Sequence, residues 1–527
     1  MLSEDKYFRD LTEAELWRRY CGFLDLSIDE FMDIQKELLM DEIDRVADST
    51  LGKKIMGKRK PKSVEEFRRI VPLTTYDDYE PYLSGQREGA LAEKPVYWCH
   101  SSGRGGKFKW LPFTSQNVDK TIQRILGAMI LAGAQHRGDV RLKPGRRMLL
   151  NMAPRPYGSG YVFYHLSQRF SVYPMPPQEA EEQMEFQERI MQGFKMALRD
   201  GLDEVLSIAS VLVTIGERVS QQSRETRLSL SMLHPAVLFR VARAKVRSRL
   251  QHRPMLPKDL WDLKTLIAIG ADAKIYKDKL TYYWGKTPYE IYGATEVIPI
   301  AVNSWNKKWL TLIYDMAFWE FIPLAEREKD QPATILTEEL KPGESYELVL
   351  TQFYGMPLLR YRIGDIITVV DFKDKEAGIN LPQIVFKSSI GDLINLAGLA
   401  VLDEKTIWQA IINSRIEYKE WAIRKEYDQN QTYLRIYMEL KEHRDPSKIA
   451  QMIDQQLRSI DVDYRDIGDQ LALQPIRITL LSPGTFQRYF EEKQGQGADL
   501  AHLKPPHMNA SDDIIKRLLA LSDERSK

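Results

Sequence analysis

The sequence predicts an α/β protein with a large N-terminal domain of mixed sheets and helices over residues 1–390 and a smaller α+β domain over 391–527. Three observations carry that prediction. At 527 residues the chain exceeds what one ordinary hydrophobic core serves. From about residue 94, short apolar runs alternate with longer amphipathic segments, the pattern of helices packed on a sheet. After residue 296 strands dominate, and from about residue 400 a shorter helix–strand–helix–strand unit follows.

Taken in order, the first eighty residues read as helical. Phe31, Ile34, Leu38 and Ile43 recur at helical spacing in a segment opened by Ser27. A lysine-rich loop at 53–62 precedes a second helix, with Ser63 and Glu66 as a capping box and Pro72 closing it. Residues 96–99, 147–151, 210–215, 265–269 and 289–292 read as strands. Residues 116–131, 179–199, 236–250 and 274–283 read as helices. Strands are clearest next at 346–351 and 366–372. The small domain is expected to hold helices at 405–412 and 447–460 and strands at 433–440 and 476–481. Ser511 and Asp512 start a closing helix.

Composition narrows the function classes. Lysine plus arginine (75) balances aspartate plus glutamate (74), so no global field favours nucleic acid or an anionic membrane. The basic stretch Arg240, Arg243, Lys245, Arg247 and Arg249 reads as one solvated helix face. Cys21 and Cys99 are the only cysteines, which argues against a disulfide framework and for a reducing compartment. The start, MLSEDKYFRDLTE, lacks an apolar signal region, and no window approaches 18 apolar residues, so a cytoplasmic protein without membrane insertion is expected. No paired histidine or cysteine spacing suggests zinc, and no G-x-S-x-G elbow suggests a serine hydrolase.

Three segments carry chemistry. HSSGRGGKFKWLPFT, residues 100–114, follows a strand and offers two hydroxyls, three glycines and two lysines. Glycines let backbone N–H groups approach phosphate oxygens, and Lys107 or Lys109 supplies positive charge. It is not a Walker A loop, because Phe108 stands where a hydroxyl is required. Taken alone, it reads equally well as a solvated hairpin. IYGATEV, residues 291–297, presents Tyr292, Thr295 and Glu296 after a strand; a ring can stack on a base and a carboxylate can hold Mg2+. LLRYRIGDII, residues 358–367, places Asp365 after a glycine turn, where a carboxylate can accept both hydroxyls of a ribose. Taken alone, the last two read as ordinary turns, with Arg360 and Arg362 on a solvated strand face.

In this order the three segments resemble the adenylate-forming superfamily of firefly luciferase and the acyl-CoA synthetases. More closely, the chain resembles the auxin-responsive-promoter family of acyl-acid amido synthetases. SVEEFRRIVPLTTYDDYEPYL (63–83), LWDLKTLIAIGADAKIYKDKLTYYWGKTPYEIYGATE (260–296) and PGTFQRYFEEKQGQGADLAHLKPPH (483–507) carry that narrower resemblance. It implies a ligase that uses ATP and Mg2+ to convert a carboxylic acid to an acyl-adenylate, then passes the acyl group to an amine, in this family an amino acid. By position, Ser101, Ser102, Gly103, Arg104, Gly105, Gly106 and Lys107 would lie at the phosphates, and Tyr292, Gly293 and Ala294 along the nucleotide. Thr295 would bond the α-phosphate, Glu296 would hold the metal, Asp365 would bind the ribose and Lys504 would be the adenylation lysine. The resemblance also implies a mobile small domain that brings in Lys504 by rotating about a hinge near 387–392.

The chain departs from the pattern at Arg104, where the family has threonine, at Ser388-Ser389, where the superfamily has arginine, and at Leu399-Ala400, where relatives carry Glu-Lys. Two alternatives stand beside the amide-forming reading. One is thioester formation on coenzyme A; the other is a degenerate member that binds nucleotide or acyl ligand without turnover.

Overall fold

The computed structural model describes residues 1–57, 59–101, 109–184, 186–222, 234–269, 276–327, 329, 331–389, 393–396, 400–428, 431–442, 444–461, 464–465, 476–495 and 505–523. The chain divides into two compact units, Met1–Ile363 with Ile367–Phe386, and Gly364–Ile366 with Lys387–Lys527.

The large unit is organised by an eleven-stranded sheet among the described residues. Its spatial order runs Ala317–Pro323, Ser345–Gln352, Tyr361–Asp371, Gln383–Ser389, Leu310–Leu312, Val297–Asn303, Tyr289–Ala294, Thr265–Ile269, Glu204–Ile208, Arg146–Asn151 and Val172–Met175. The last five strands are parallel, and two interior ones, Thr265–Ile269 and Glu204–Ile208, are buried at four successive residues, as burial on both faces requires. Tyr289–Ala294 joins the two halves, pairing in parallel with Thr265–Ile269 and antiparallel with Val297–Asn303.

Helices then bury the faces of this sheet. Ser27, expected to open the helix, caps Ile28–Val46, and Glu30 completes a reciprocal capping box with it. That helix is tied to the sheet by polar contacts as well as its apolar stripe. The Gln35 Oε1 atom accepts from Trp319 N–H at 3.0 Å, and both Glu42 carboxylate oxygens accept from Gly355 N–H at 3.0 Å. Burial opposes the charge on Glu42 and pushes its pKa up to about 8.

Several expectations need correction. Residues 210–215 are not a strand: the strand is Glu204–Ile208, and Ala209–Gln222 is a helix that starts directly after it. Val211, Val213 and Ile215 mimic strand alternation, but burial of Leu212, Ile215 and Val219 follows the helical period. The helix expected over 179–199 is two helices, Gln178–Glu181 and Phe186–Asp200. The loop expected over 53–62 begins as the last turns of helix Thr50–Met56. Ser63 caps Val64–Ile70, but Glu66 accepts from Lys62 N–H, so the box is shifted by one residue. Of the helix expected over 274–283, residues 274 and 275 lie outside the described residues, and Lys277–Trp284 is helical.

The basic helix Pro235–Leu250 is largely solvated, as expected, with Lys245 and Arg249 exposed. Arg243 and Arg247 pair with Asp262 at 3.4 and 3.2 Å, while Phe239 and Leu250 are 73% and 76% exposed.

The small unit has its own core around Trp421, Ile436 and Ile453. Strands Tyr418–Asp428 and Gln431–Leu440 pair antiparallel, and Ile476–Leu481 joins in parallel. Helices Glu404–Asn413 and Pro446–Ile460 are buried along Ile407, Ile411, Ile449 and Ile453. Asp512–Asp523 is the closing helix.

Candidate active site

Strands Tyr97–Ser101 and Lys109–Phe113 form an antiparallel hairpin whose last pair is Ser101 opposite Lys109. The glycine-rich stretch joins these two strands in the sequence. Ser102, Gly103, Arg104, Gly105, Gly106 and Lys107 lie outside the described residues. The hairpin is anchored at its base by His100 N–H, which donates to the Pro156 carbonyl at 3.1 Å.

The second motif folds as a two-residue turn. Ala294 pairs with Val297, so Thr295 and Glu296 occupy the tip between two antiparallel strands, with a bulge around Gly293. Gly293 is exposed and Ala294 and Thr295 are half-buried, while Glu296 is 8% exposed. Tyr292 is buried with its ring 5.3 Å from Phe386. Gly158 lies against this turn: a Cβ there would stand 3.3 Å from Thr295 Cγ2 and 3.8 Å from Cys99 Sγ. A bulkier residue at 158 would press on the motif.

In the third motif, Gly364-Asp365 is not a turn between strands. Tyr361–Asp371 is one continuous strand, and Gly364 at φ +82° supplies a left-handed kink within it. Half-buried Asp365 follows that kink. Nor do the arginines lie on a solvated face. Arg360 is buried and bonded twice to Glu320, at 2.9 and 3.0 Å, and Arg362 is bonded twice to buried Glu347, at 2.6 and 2.7 Å.

Tyr361, which the reading of the sequence passed over, connects the first two motifs. Lys109 Nζ donates to Tyr361 Oη at 3.2 Å, and Tyr361 Oη–H donates to Glu296 Oε1 at 3.4 Å. The Glu296 carbonyl accepts from Gln352 Nε2 at 2.6 Å, which fixes the turn from beneath. Residues 74–79 brace both sides. Thr74 N–H donates to the Arg360 carbonyl and Arg362 N–H donates to the Thr74 carbonyl, while Tyr76 Oη accepts from Trp110 N–H at 2.8 Å. The segment LTTYDDY thus holds the hairpin and the Tyr361 strand in one frame. Its signal in the sequence was the tyrosine of L-R-Y-R-I-G-D itself, overshadowed by the aspartate after it.

The electrostatics follow from one buried carboxylate. Burial first, then the Glu296 charge, raises the Tyr361 hydroxyl far above its ordinary value. Burial and the same charge act on Tyr76, pushed up to about 12, and on the Cys99 thiol. The site therefore holds neutral hydroxyls around one carboxylate and the Lys109 ammonium. Among the described residues no three histidine, cysteine, aspartate or glutamate side chains converge as a metal cage. A single carboxylate nevertheless fits Mg2+, which keeps waters and is otherwise held by substrate phosphates. Lys504 lies outside the described residues. No helix among the described residues is long and apolar enough to cross a membrane.

Tyr361→Phe should lower turnover about tenfold, the worth of one hydrogen bond to a charged group. Steady-state kinetics checks this, and unchanged turnover would show that the Lys109–Tyr361–Glu296 chain is incidental.

A parallel-to-antiparallel sheet carrying an acidic turn and a kinked aspartate strand, beside a separate two-stranded hairpin, is the arrangement of the adenylate-forming fold. Solved structures agree: a 2-hydroxyisobutyryl-CoA ligase in the postadenylation state aligns with a TM-score of 0.63 at 12% identity, covering 97% of this chain and 94% of that one. An acyl acid amido synthetase, AtGH3.15, in complex with 2,4-DB aligns with a TM-score of 0.64 at 18% identity, covering 95% of each chain. The chain belongs to the GH3 family: residues 22–202, 310–388 and 406–513 match its N-terminal, central and C-terminal domains. Indole-3-acetic acid-amido synthetase GH3.10 of Arabidopsis thaliana is 21% identical, covering 85% of this chain and 86% of that protein.

Proposed function

We propose that this chain adenylates a carboxylic acid with ATP and transfers the acyl group to the amine of an amino acid. The substrate carboxylate oxygen attacks the α-phosphorus, the α–β phosphoanhydride bond breaks, and pyrophosphate leaves. The amine nitrogen then attacks the acyl carbonyl, AMP leaves, and the nitrogen gives up its proton. A free carboxylate is a poor acyl donor at neutral pH, and AMP is a far better leaving group. The observation that carries the reading is the chain from Lys109 through Tyr361 to Glu296, which sets the base of the glycine-rich hairpin beside the acidic turn. Membership of a family with amide-forming relatives supports the acceptor.

In this reading Ser101 and residues 102–107 contact the phosphates. Thr295 bonds the α-phosphate, Tyr292 stacks on adenine, backbone at Gly293 and Ala294 lines the nucleotide, and Asp365 accepts from the ribose hydroxyls. Glu296 would hold Mg2+, whose chemistry is neutralisation of phosphate charge. Lys504 supplies the second cation for adenylation. Catalysis rests on charge placement and in-line positioning rather than on a covalent enzyme intermediate.

The test is to incubate the protein with ATP, Mg2+, a panel of aryl and aliphatic carboxylic acids and the common amino acids, and to weigh the products. An amide together with AMP is expected. A coenzyme A thioester formed in preference to any amide would instead establish the thiol acceptor.

A further inference from the structure

The helix Pro235–Leu250 is held to the large unit by one face. Val237, Ala244 and Ser248 are buried, and Ala244 packs in the core that holds Ala197 and Trp261. Beside that face, Arg240 Nη1 donates to the Leu198 carbonyl and Arg243 Nη2 donates to the Leu260 carbonyl at 3.3 Å, while Arg243 and Arg247 share Asp262. At the start of the helix, His234 Nδ1 accepts from Ala236 N–H at 3.3 Å, and Pro235 fills the first turn. These bonds fix the rotation of the helix about its own axis, so the fold sets which residues point outward.

The outward face is apolar where a helix suited to solvent would be polar. At about 100° per residue, Phe239, Val246 and Leu250 fall within about 40° of one another, on the side opposite Val237, Ala244 and Ser248. They are 73%, 58% and 76% exposed, and Leu238, on one flank, is 46% exposed. Among the described residues, no other helix leaves four large apolar side chains exposed.

Cations stand on both sides of this ridge. Arg240, Arg243 and Arg247 follow one flank, where Asp262 offsets part of their charge; Lys245 and Arg249, both exposed, follow the other. From Thr226 to Lys258 the sequence has no aspartate or glutamate, so nothing on the helix repels an anion. Arginine and lysine stems lie along an apolar surface and keep their charged ends in water, so an apolar ridge between cationic rails suits a planar anionic surface. The near-neutral charge of the whole chain hides this, because the balance is global and the excess is local.

We infer that Pro235–Leu250 docks the large unit on an anionic phospholipid surface: Phe239, Val246 and Leu250 enter the boundary between headgroups and acyl chains, and Lys245 and Arg249 meet the phosphates. The ridge is roughly 17 Å long at the helical rise, so the helix lies in the plane of the surface and does not cross it. The inference stands apart from the reaction proposed above, since no residue of the acidic turn, the hairpin or the kinked strand takes part.

The test is flotation of the full chain with vesicles of phosphatidylcholine alone and of phosphatidylcholine with about 30% phosphatidylserine, at about 0.1 M salt. The wild type should float with the anionic vesicles, and at least about tenfold less with the neutral ones or at about 0.5 M salt. Phe239→Ser with Leu250→Ser should lower partitioning at least about tenfold by removing the ridge, and Lys245→Glu with Arg249→Glu should do the same through charge. All four positions are exposed, so the melting temperature by circular dichroism should stay within about 2 °C of the wild type. Absence of the wild type from the anionic vesicles, equal binding to the neutral ones, or full binding by either double variant would overturn the proposal. So would lipid-free self-association, seen by analytical ultracentrifugation and abolished by Phe239→Ser with Leu250→Ser, because a second copy would then cover the ridge.

Discussion

Replacing Glu296 by alanine should lower acid-dependent ATP–pyrophosphate exchange by about a thousandfold or more, the largest effect expected of any single residue described. The residue occupies the tip of a two-residue turn whose backbone is held by Gln352, and its side chain accepts from Tyr361 Oη–H at 3.4 Å. The turn should therefore survive the loss of the carboxylate, and stability should change by no more than about 1 kcal/mol. The negative charge, by contrast, has no substitute among the hydroxyls and thiol around it. Its removal should also lower the pKa values of Tyr361, Tyr76 and Cys99, each raised partly by Glu296. Glu296→Gln separates shape from charge: it should be as inactive as the alanine variant. Exchange near the wild-type rate in either variant would show that the acidic motif has been misassigned.

Arg360→Met should destabilise the large unit by about 3–5 kcal/mol without touching the residues proposed to bind nucleotide. Arg360 sits at φ +44°, with Nη1 donating to the carbonyls of Arg68 and Val71 at 2.6 and 2.7 Å while its other nitrogens hold Glu320. Removing the guanidinium leaves a fully buried carboxylate whose remaining cationic partner is Arg68, at 3.3 Å. An unpaired buried charge costs more than the pair gains, so Arg360→Met with Glu320→Leu should recover most of the loss. Urea unfolding of the single and double variants measures both terms. A loss below about 1 kcal/mol in the single variant would show that Arg68 and Thr334 suffice for Glu320.

Much of this architecture was legible in the sequence because its local signals agree with the tertiary structure. Ser27 followed by apolar residues at helical spacing announces Ile28–Val46, and the runs read as strands at 147–151 and 265–269 become internal parallel strands. The reading failed where punctuation is missing. No glycine or proline separates Ile208 from Ala209, so a strand and the helix after it form one apolar run, and the β-branched residues of the helix look like alternation. At the candidate site, Ser101, Tyr292, Thr295, Glu296 and Asp365 are found at the hairpin end, the acidic turn and the kinked strand. The contacts that unite them were hidden, because Tyr76, Lys109, Glu296, Gln352 and Tyr361 are far apart in the chain and meet only through sheet topology. Arg360 shows the converse: a charge beside a functional motif reads as solvated, yet it is a buried structural anchor.

Acyl-adenylate formation by this chain is read out by ATP–pyrophosphate exchange. Labelled pyrophosphate should enter ATP in the presence of protein, Mg2+ and one or more carboxylic acids from an aryl and aliphatic panel, and should not enter when the acid is omitted. If no acid supports exchange while ATP or AMP still binds, the chain is a nucleotide-binding descendant that has lost turnover. Arg104, in place of the threonine expected in the glycine-rich stretch, is then the first residue to restore.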